Sequence, residues 1–451
     1  MSVFRELRRS VDQLDTIKTA GVVSEVVGVT LRVIDLSMPI GAMVKILGHR
    51  EEVFGEVVGF DQERAIVMPL GFTTGIRCGD PVVSVQSYPM ARVGYNLLGR
   101  VVNAMGDPID DGKPLRETYV RPLHPKPVDP LHRVPIKEPL GTGVRSIDAM
   151  LTAGRGQRLG IFAGPGVGKS TLMGTIARNT DAAVSVVALV GERGREVRDF
   201  IEDSLGEEGL KRSVVVVATG DEPPILRIRA AMYATSVAEF FRDEGLDVVL
   251  MMDSVTRFCQ AQRQVGLAAG EPPATKGYTP SVFALLPTLL ERPGRVETGS
   301  ITGFYTILVE GDDMTEPISD AVRGILDGHI VLSRDLANRG HYPAVDVMQS
   351  VSRVAPDVTD DIHQDSKMSV TRMISSYRDV EDLVNIGAYA RGTNAEYDLA
   401  IEMKESIDAL LRQTRHDKVT FDSAKTALLE LATKSKQIDI LLRKQNAQAA
   451  A

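Results

Sequence analysis

Apolar positions change their spacing along this chain, and each change marks a new class of element. Over residues 1–18, Phe4, Leu7, Val11, Leu14 and Ile17 recur every three or four positions, with Arg5, Glu6, Arg8, Arg9, Asp12 and Asp15 between them. That stripe predicts a short amphipathic helix, packed either on its own domain or against another protein. Over 21–92 the apolar segments shorten: GVVSEVVGVTLRVID, AMVKILG, EVFGEVVGF, RAIVMPL and PVVSV, divided by Gly, Pro and charged turns. They predict a small, mostly antiparallel β-barrel over 19–92. Prolines then crowd residues 122–135, which predicts an extended connector that is not helical.

From about 136 the pattern alternates. RLGIFAG, VSVVALVGE, SVVVVATGD, LDVVLMMDS and SITGFYTILVE are almost continuously apolar, and stretches such as IRAAMYATSVAEFFRDEG lie between them. Strands apolar on both faces, alternating with helices, predict an α/β domain over 93–367 with a doubly wound, mostly parallel sheet. From about 368 to 451 the chain reads as a charged C-terminal helical domain. No internal repeat is evident.

The strand RLGIFAG runs into AGPGVGKS (163–170) and then into TLMGTIARN, a helical pattern. This is the setting of a phosphate-binding P-loop. Gly164, Gly166 and Gly168 let successive N–H groups turn inward, and the helix beginning near Lys169 adds its N-terminal dipole. The cradle spans Gly164, Pro165, Gly166, Val167, Gly168, Lys169, Ser170 and Thr171. Lys169 would reach the β- and γ-phosphates of a nucleotide and Ser170 would ligate Mg²⁺. Ala163 replaces the first glycine of the usual pattern, at a strand end where the residue need only be small. The bland alternative is a glycine-rich turn with a surface lysine.

LDVVLMMDS ends an apolar strand on Asp253, as a strand delivering a second Mg²⁺ ligand to the carboxyl edge of the sheet does. An ordinary strand-capping aspartate is the alternative. VALVGERGRE places Glu192 and Arg193 at the end of another strand, where Glu192 can polarise an attacking water. Taken alone, such a glutamate is more often a solvated loop residue.

Composition narrows the class. The chain has 451 residues, 43% hydrophobic and 25% charged, with a net charge of -8. Those are globular values for two or three domains, and they disfavour a protein whose whole surface grips nucleic acid. Cys78 and Cys259 support neither a disulfide framework nor a zinc pattern, so a reducing compartment is expected. The charged N-terminus does not read as a signal peptide, and no apolar run approaches 18 residues. A soluble, cytoplasmic protein that meets membranes only through partners is expected.

Four stretches together, AGPGVGKS, VGERGREV, VVLMMDSVTRF and HYPAVDVMQSVSR, resemble the hexameric rotary-type ATPases, which include the ATP synthase α and β subunits and the type III export ATPases. PAVDVMQSVS (343–352) is similar to that superfamily's P-[SA]-[LIV]-D-x-x-x-S-x-S signature. The resemblance covers nearly the whole chain and implies a RecA-like core. It implies that Glu192 is the general base, that Arg193 matches the arginine beside it, and that Asp253 is the Walker-B acid. It further implies that Tyr342 stacks on adenine and that Arg353 is an arginine finger entering the neighbouring subunit's site.

Synthase subunits divide these roles between two chains, whereas Glu192 and Arg353 stand here in one, which favours a homohexamer. ATGDEPPILRIRAA, DSVTRFCQAQRQVGLAAGEPPATKGYTPSVFALLPTLLERPG and YARGTNAEYDLAIEMKESIDALLRQ resemble the type III export ATPases, the flagellar form before the injectisome form. The resemblance implies a stator-like regulator at the N-terminal helix and a coiled-coil stalk protein at QVGLAAGEPP (264–273) in a central channel. It implies an export gate, chaperones and export substrates at the C-terminal domain, with peripheral association at the inner-membrane export apparatus. A synthase catalytic subunit, a Rho-type RNA translocase and a nucleotide-gated export scaffold without turnover are the other readings.

Overall fold

The computed structural model describes residues 19–49, 51–309, 311 and 313–449; the amphipathic segment expected over 1–18 lies outside the described residues. The first six strands, Ala20–Val27, Thr30–Ile34, Met43–Leu47, Glu52–Asp61, Arg64–Pro69 and Pro81–Gln86, close into a barrel with every pair antiparallel. Their alternating side chains put Val23, Leu31, Val33, Val44, Ile46, Val57, Val67 and Val82 inside, each at most 1% exposed.

The central sheet follows the order Val351–Ser352, Gly328–Leu332, Arg158–Ala163, Ser300–Leu308, Asp247–Asp253, Val184–Val190, Ser213–Ala218, Arg100–Asn103. A short strand, Gly294–Arg295, pairs antiparallel beside Ser300–Leu308. All other pairings are parallel except that of Val351–Ser352 with Gly328–Leu332. The five strands read from apolar runs all lie in this sheet. All seven residues of Val184–Val190 are buried, because both faces of the sheet are covered. On one face the cover is the 20-residue helix Pro224–Asp243 with helices Val255–Ala268 and Pro280–Leu290. On the other it is helix Lys169–Asn179 and, through Val370, Met373, Met403, Ile407 and Leu428, the C-terminal helices.

Those helices span Asp361–Asn385, Ala395–Leu411 and Phe421–Ala449. The first begins at Asp361 because Asp360 caps it, its carboxylate accepting from His363 N at 2.9 Å. The proline-rich connector differs from expectation in one place: Pro130–His132 form a 3₁₀ turn, capped by Asp129, with Pro130 at the first position where a missing N–H costs nothing. Among the described residues, no helix is long and apolar enough to cross a membrane.

Candidate active site

The strand Arg158–Ala163 reaches the carboxyl edge of the sheet between Gly328–Leu332 and Ser300–Leu308, and there the chain curls through Gly164–Gly168 into helix Lys169–Asn179. Gly166 and Gly168 hold φ of 79° and 91°, the left-handed region that an L side chain enters at a cost. A Cβ on Gly166 would meet nothing within 4 Å, so there the requirement is backbone conformation rather than room. Val167 is buried and anchors the loop, while Pro165, Gly166, Ser170 and Thr171 face outward.

Three charged groups converge behind the loop. Lys169 Nζ lies 2.5 Å from Asp253 Oδ1 and 3.6 Å from Glu192 Oε1. The register explains the meeting: Leu189 pairs with Asp253 across adjacent strands, so Glu192 and Asp253 leave the same sheet edge side by side. Burial would lower Lys169, but Asp253 and then Glu192 outweigh it and hold the ammonium above its ordinary value. Burial pushes Glu192 up to about 7, and the neighbouring Asp253 charge adds to that push against the pull of Lys169. A carboxyl poised near neutrality can exchange a proton with water at working pH. Its Oε1 is buried and accepts no hydrogen bond.

Asp253 Oδ1 also accepts from the Thr306 hydroxyl at 2.7 Å. Both donors thus occupy one carboxylate oxygen. That oxygen count, together with an exposed hydroxyl in the first turn of helix Lys169–Asn179 at Ser170, is a donor set that fits a hard cation, which takes oxygen ligands and shares them with phosphate. Ser170 and Asp253 therefore suit Mg²⁺.

A cavity of about 300 Å³ opens beside the loop, lined by Val144, Gly168, Thr175, Tyr342, Gln413 and Thr414, among others. The Tyr342 ring lies over the loop: a Cβ on Gly168 would stand 3.6 Å from its Cδ1 and Cε1. A flat, largely apolar slot with an aromatic wall beside a phosphate cradle suits a nucleotide base.

Comparison with known proteins agrees with this geometry. Residues 143–352 match the model of the ATP synthase alpha/beta family nucleotide-binding domain, 23–86 that family's beta-barrel domain, and 359–430 the T3SS EscN ATPase C-terminal domain. A flagellum-specific ATP synthase of Bacillus subtilis is 50% identical, over 93% of this chain and 97% of that protein. The chain belongs to the type III export ATPases of the ATP synthase alpha/beta family. A type 3 secretion system ATPase of Xanthomonas euvesicatoria is 46% identical over 90% of this chain and 92% of its own length. The assembled ATPase EscN of enteropathogenic E. coli, solved in complex with its central stalk EscO, superposes with a TM-score of 0.85 at 41% identity, covering 91% of this chain and all of that one.

Two arginines stand apart from the cluster of this export ATPase. Arg193 lies at the mouth of the site, its side chain 83% exposed and 3.6 Å from Glu196. Arg353 follows the antiparallel strand Val351–Ser352, which pairs Ser352 with Gly328 and Val351 with His329. It therefore emerges at the amino edge of the sheet, where its N–H donates to Asp327 O at 3.0 Å. Strand Gly328–Leu332 separates that edge from the P-loop, roughly 13 Å of extended chain. An arginine side chain does not span that distance, so Arg353 is kept from its own chain's loop and presented outward.

Three residues escape the sequence reading. Gln413, in the turn between the last two helices, ties the base pocket together. Its N–H donates to Tyr342 O at 2.9 Å, its Oε1 accepts from Arg145 N at 2.8 Å and its Nε2 donates to Gly143 O at 2.9 Å. Nothing local marks it, because its partners lie up to 270 residues away. Arg257, four residues beyond Asp253, packs its side chain against Gly191 and pairs with no acid among the described residues; its place on the first turn after the Asp253 strand was a usable signal. Thr306 is the third. The resemblance implies a glycine-rich loop at 264–273, but the segment is helical through Ala268, with Val265 and Gly266 buried, and only Ala269–Ala274 turns outward.

Proposed function

We propose that the chain is the motor of type III protein export, hydrolysing ATP at sites shared between identical copies and coupling each cycle to movement of its C-terminal helices. The observation that carries this reading is that one chain holds both halves of a site on opposite edges of one sheet: Lys169, Glu192 and Asp253 at the carboxyl edge, Arg353 at the amino edge. A ring of copies brings the two edges together, and a homohexamer is the assembly the export-ATPase resemblance favours.

Within a site, the P-loop amides and Lys169 bind the phosphates and Tyr342 stacks the base. Arg193 swings in from the mouth to the γ-phosphate. Glu192 orients the water in line and takes its proton. Arg353 of a second copy meets the charge that spreads over the γ-phosphate oxygens, a contribution worth about 10³–10⁵ in rate. Ser170 and Asp253 would hold Mg²⁺, which would offset the phosphate charge.

A flagellar export system is the favoured setting, supported by the flagellum-specific relative at 50% identity over nearly the full chain. The assembled EscN structure with its stalk supports a ring around a central stalk protein, which the turn Ala269–Ala274 would meet. Export substrates and their chaperones dock on the C-terminal helices, a stator-like regulator binds residues 1–18, and contact with the inner membrane runs through these partners.

The test is the hydrolysis rate per chain across a dilution series, with Arg353→Ala and Glu192→Gln chains alone and mixed. Specific activity should rise with concentration. Each variant should be nearly inert alone, and mixing should recover activity, because some interfaces then pair an intact Glu192 with an intact Arg353. Absence of recovery at every ratio refutes sites built between copies.

A further inference from the structure

Thr306 is fully buried in strand Ser300–Leu308, which runs between the P-loop strand and the Asp253 strand. Ile161 is its register partner on one side, and Met252 pairs with Tyr305 on the other. Its hydroxyl has one proton and two acceptors in reach, Asp253 Oδ1 at 2.7 Å and Met252 O at 3.2 Å. The charged, nearer oxygen takes the proton.

Lys169 Nζ sits on that same Oδ1 at 2.5 Å. A lysine that is to serve phosphate cannot stay there, so its arrival at a nucleotide strips one donor from the carboxylate. Thr306 is the donor that remains. Asp253 is only 2% exposed, so water does not replace a lost partner, and the terminal torsion of an aspartate is broad.

We propose that Thr306 is a positioning residue that locks Asp253 Oδ1 so that Oδ2 stays turned to the cation after Lys169 has moved away. The inference rests on the reading of Asp253 as the Mg²⁺ carboxylate. A threonine in a buried strand also has an ordinary use, since its branched side chain packs well in a sheet, and that use alone would affect folding without touching metal affinity.

Thr306→Val keeps the shape and removes the hydroxyl; Thr306→Ser keeps the hydroxyl. Three quantities separate the roles in the full-length chain: Mn²⁺ affinity in the presence of ADP by electron paramagnetic resonance, the Mg²⁺ half-saturation of ATP hydrolysis, and ATP binding in EDTA. Thr306→Val should weaken both metal readouts about ten- to a hundredfold, the usual effect of losing a partner of a metal ligand. It should leave metal-free ATP binding within about twofold, and Thr306→Ser should recover most of the loss. Thr306→Ala gives the same measurements if the valine variant does not fold. Wild-type metal affinity in a folded Thr306→Val or Thr306→Ala chain overturns the proposal, as does an equal loss of metal-free nucleotide binding, or no recovery with serine. A wild-type chain without metal-dependent hydrolysis would instead overturn the ATPase reading beneath it.

Discussion

Replacing Glu192 by Gln should make the protein more stable and less active at once, and the two effects should have different pH dependence. Burial and Asp253 raise Glu192 from 4.5 to about 7. The sign follows from which state holds the proton. Below pH 4.5 both folded and unfolded chains keep Glu192 protonated, and its charge costs nothing. Between 4.5 and 7 the unfolded chain releases the proton while the folded chain retains it, so stability falls as pH rises. Above 7 the folded chain carries the charge at full cost. At about 1.4 kcal/mol per pH unit, that interval amounts to something on the order of 3 kcal/mol. The side chain is 12% exposed, so solvent screens little of it. The glutamine variant should therefore melt with the wild type near pH 4.5 and above it at pH 7.5, by roughly 6–12 °C if each kcal/mol moves the midpoint by about 2–4 °C. In the same samples kcat should fall by about 10²–10⁴, the usual share of a general base. Scanning calorimetry of both chains at the two pH values, beside a phosphate-release assay, reads everything required. An unchanged or lower melting point at pH 7.5 would refute the burial argument, and activity within tenfold of wild type would refute the base assignment.

Two further outcomes follow from the base pocket. Gln413→Ala should raise KM for ATP about tenfold with kcat nearly unchanged, because it removes the three side-chain hydrogen bonds, to Arg145 N, Gly143 O and Asp417 O, that fix the wall around Tyr342. Inhibition by tripolyphosphate, which has no base, should stay at its wild-type value, and a parallel loss would show collapse of the loop itself. Gly143→Ala should destabilise the chain by at least about 2 kcal/mol in urea unfolding, because φ is +74° and the new Cβ would stand 2.3 Å from Asn179 Cβ.

What the sequence revealed followed the range of each signal. The P-loop and the Asp253 strand were legible because everything that defines them is local: an apolar run, glycines at the turn, and a lysine or carboxylate at its end. The barrel was legible from short Val- and Ile-rich segments divided by Gly, Pro and charged turns. Strand Gly328–Leu332 was passed over, although it is the neighbour that carries Arg353 to the far edge. The resemblance named Arg353, but its presentation away from its own P-loop depends on the register of a two-residue antiparallel strand, which no periodicity announces. Arg193 is adjacent to Glu192 in sequence yet faces solvent, since the chain turns into helix Gly194–Asp199 immediately after it. Thr306 was hidden in SITGFYTILVE, where threonine reads as ordinary strand filler, and its role exists only because the strand lies between two others.

The turn at 412–417 has an evolutionary consequence. It is held by Arg145, Arg178 and Asn179 as well as by its own Gln413, with Arg178 Nη2 donating to Arg415 O at 2.6 Å and Asn179 Nδ2 to Asp417 O at 3.4 Å. The same turn joins the last two helices. If export substrates dock on these helices as proposed, their outward faces can drift with the cargo, whereas the turn between them lines the cavity beside the P-loop and would be answerable to a nucleotide that never changes. Lineages that diverge widely in cargo should therefore diverge on those faces and keep this one corner, and chimaeras that exchange the helices should succeed when the crossover points spare it.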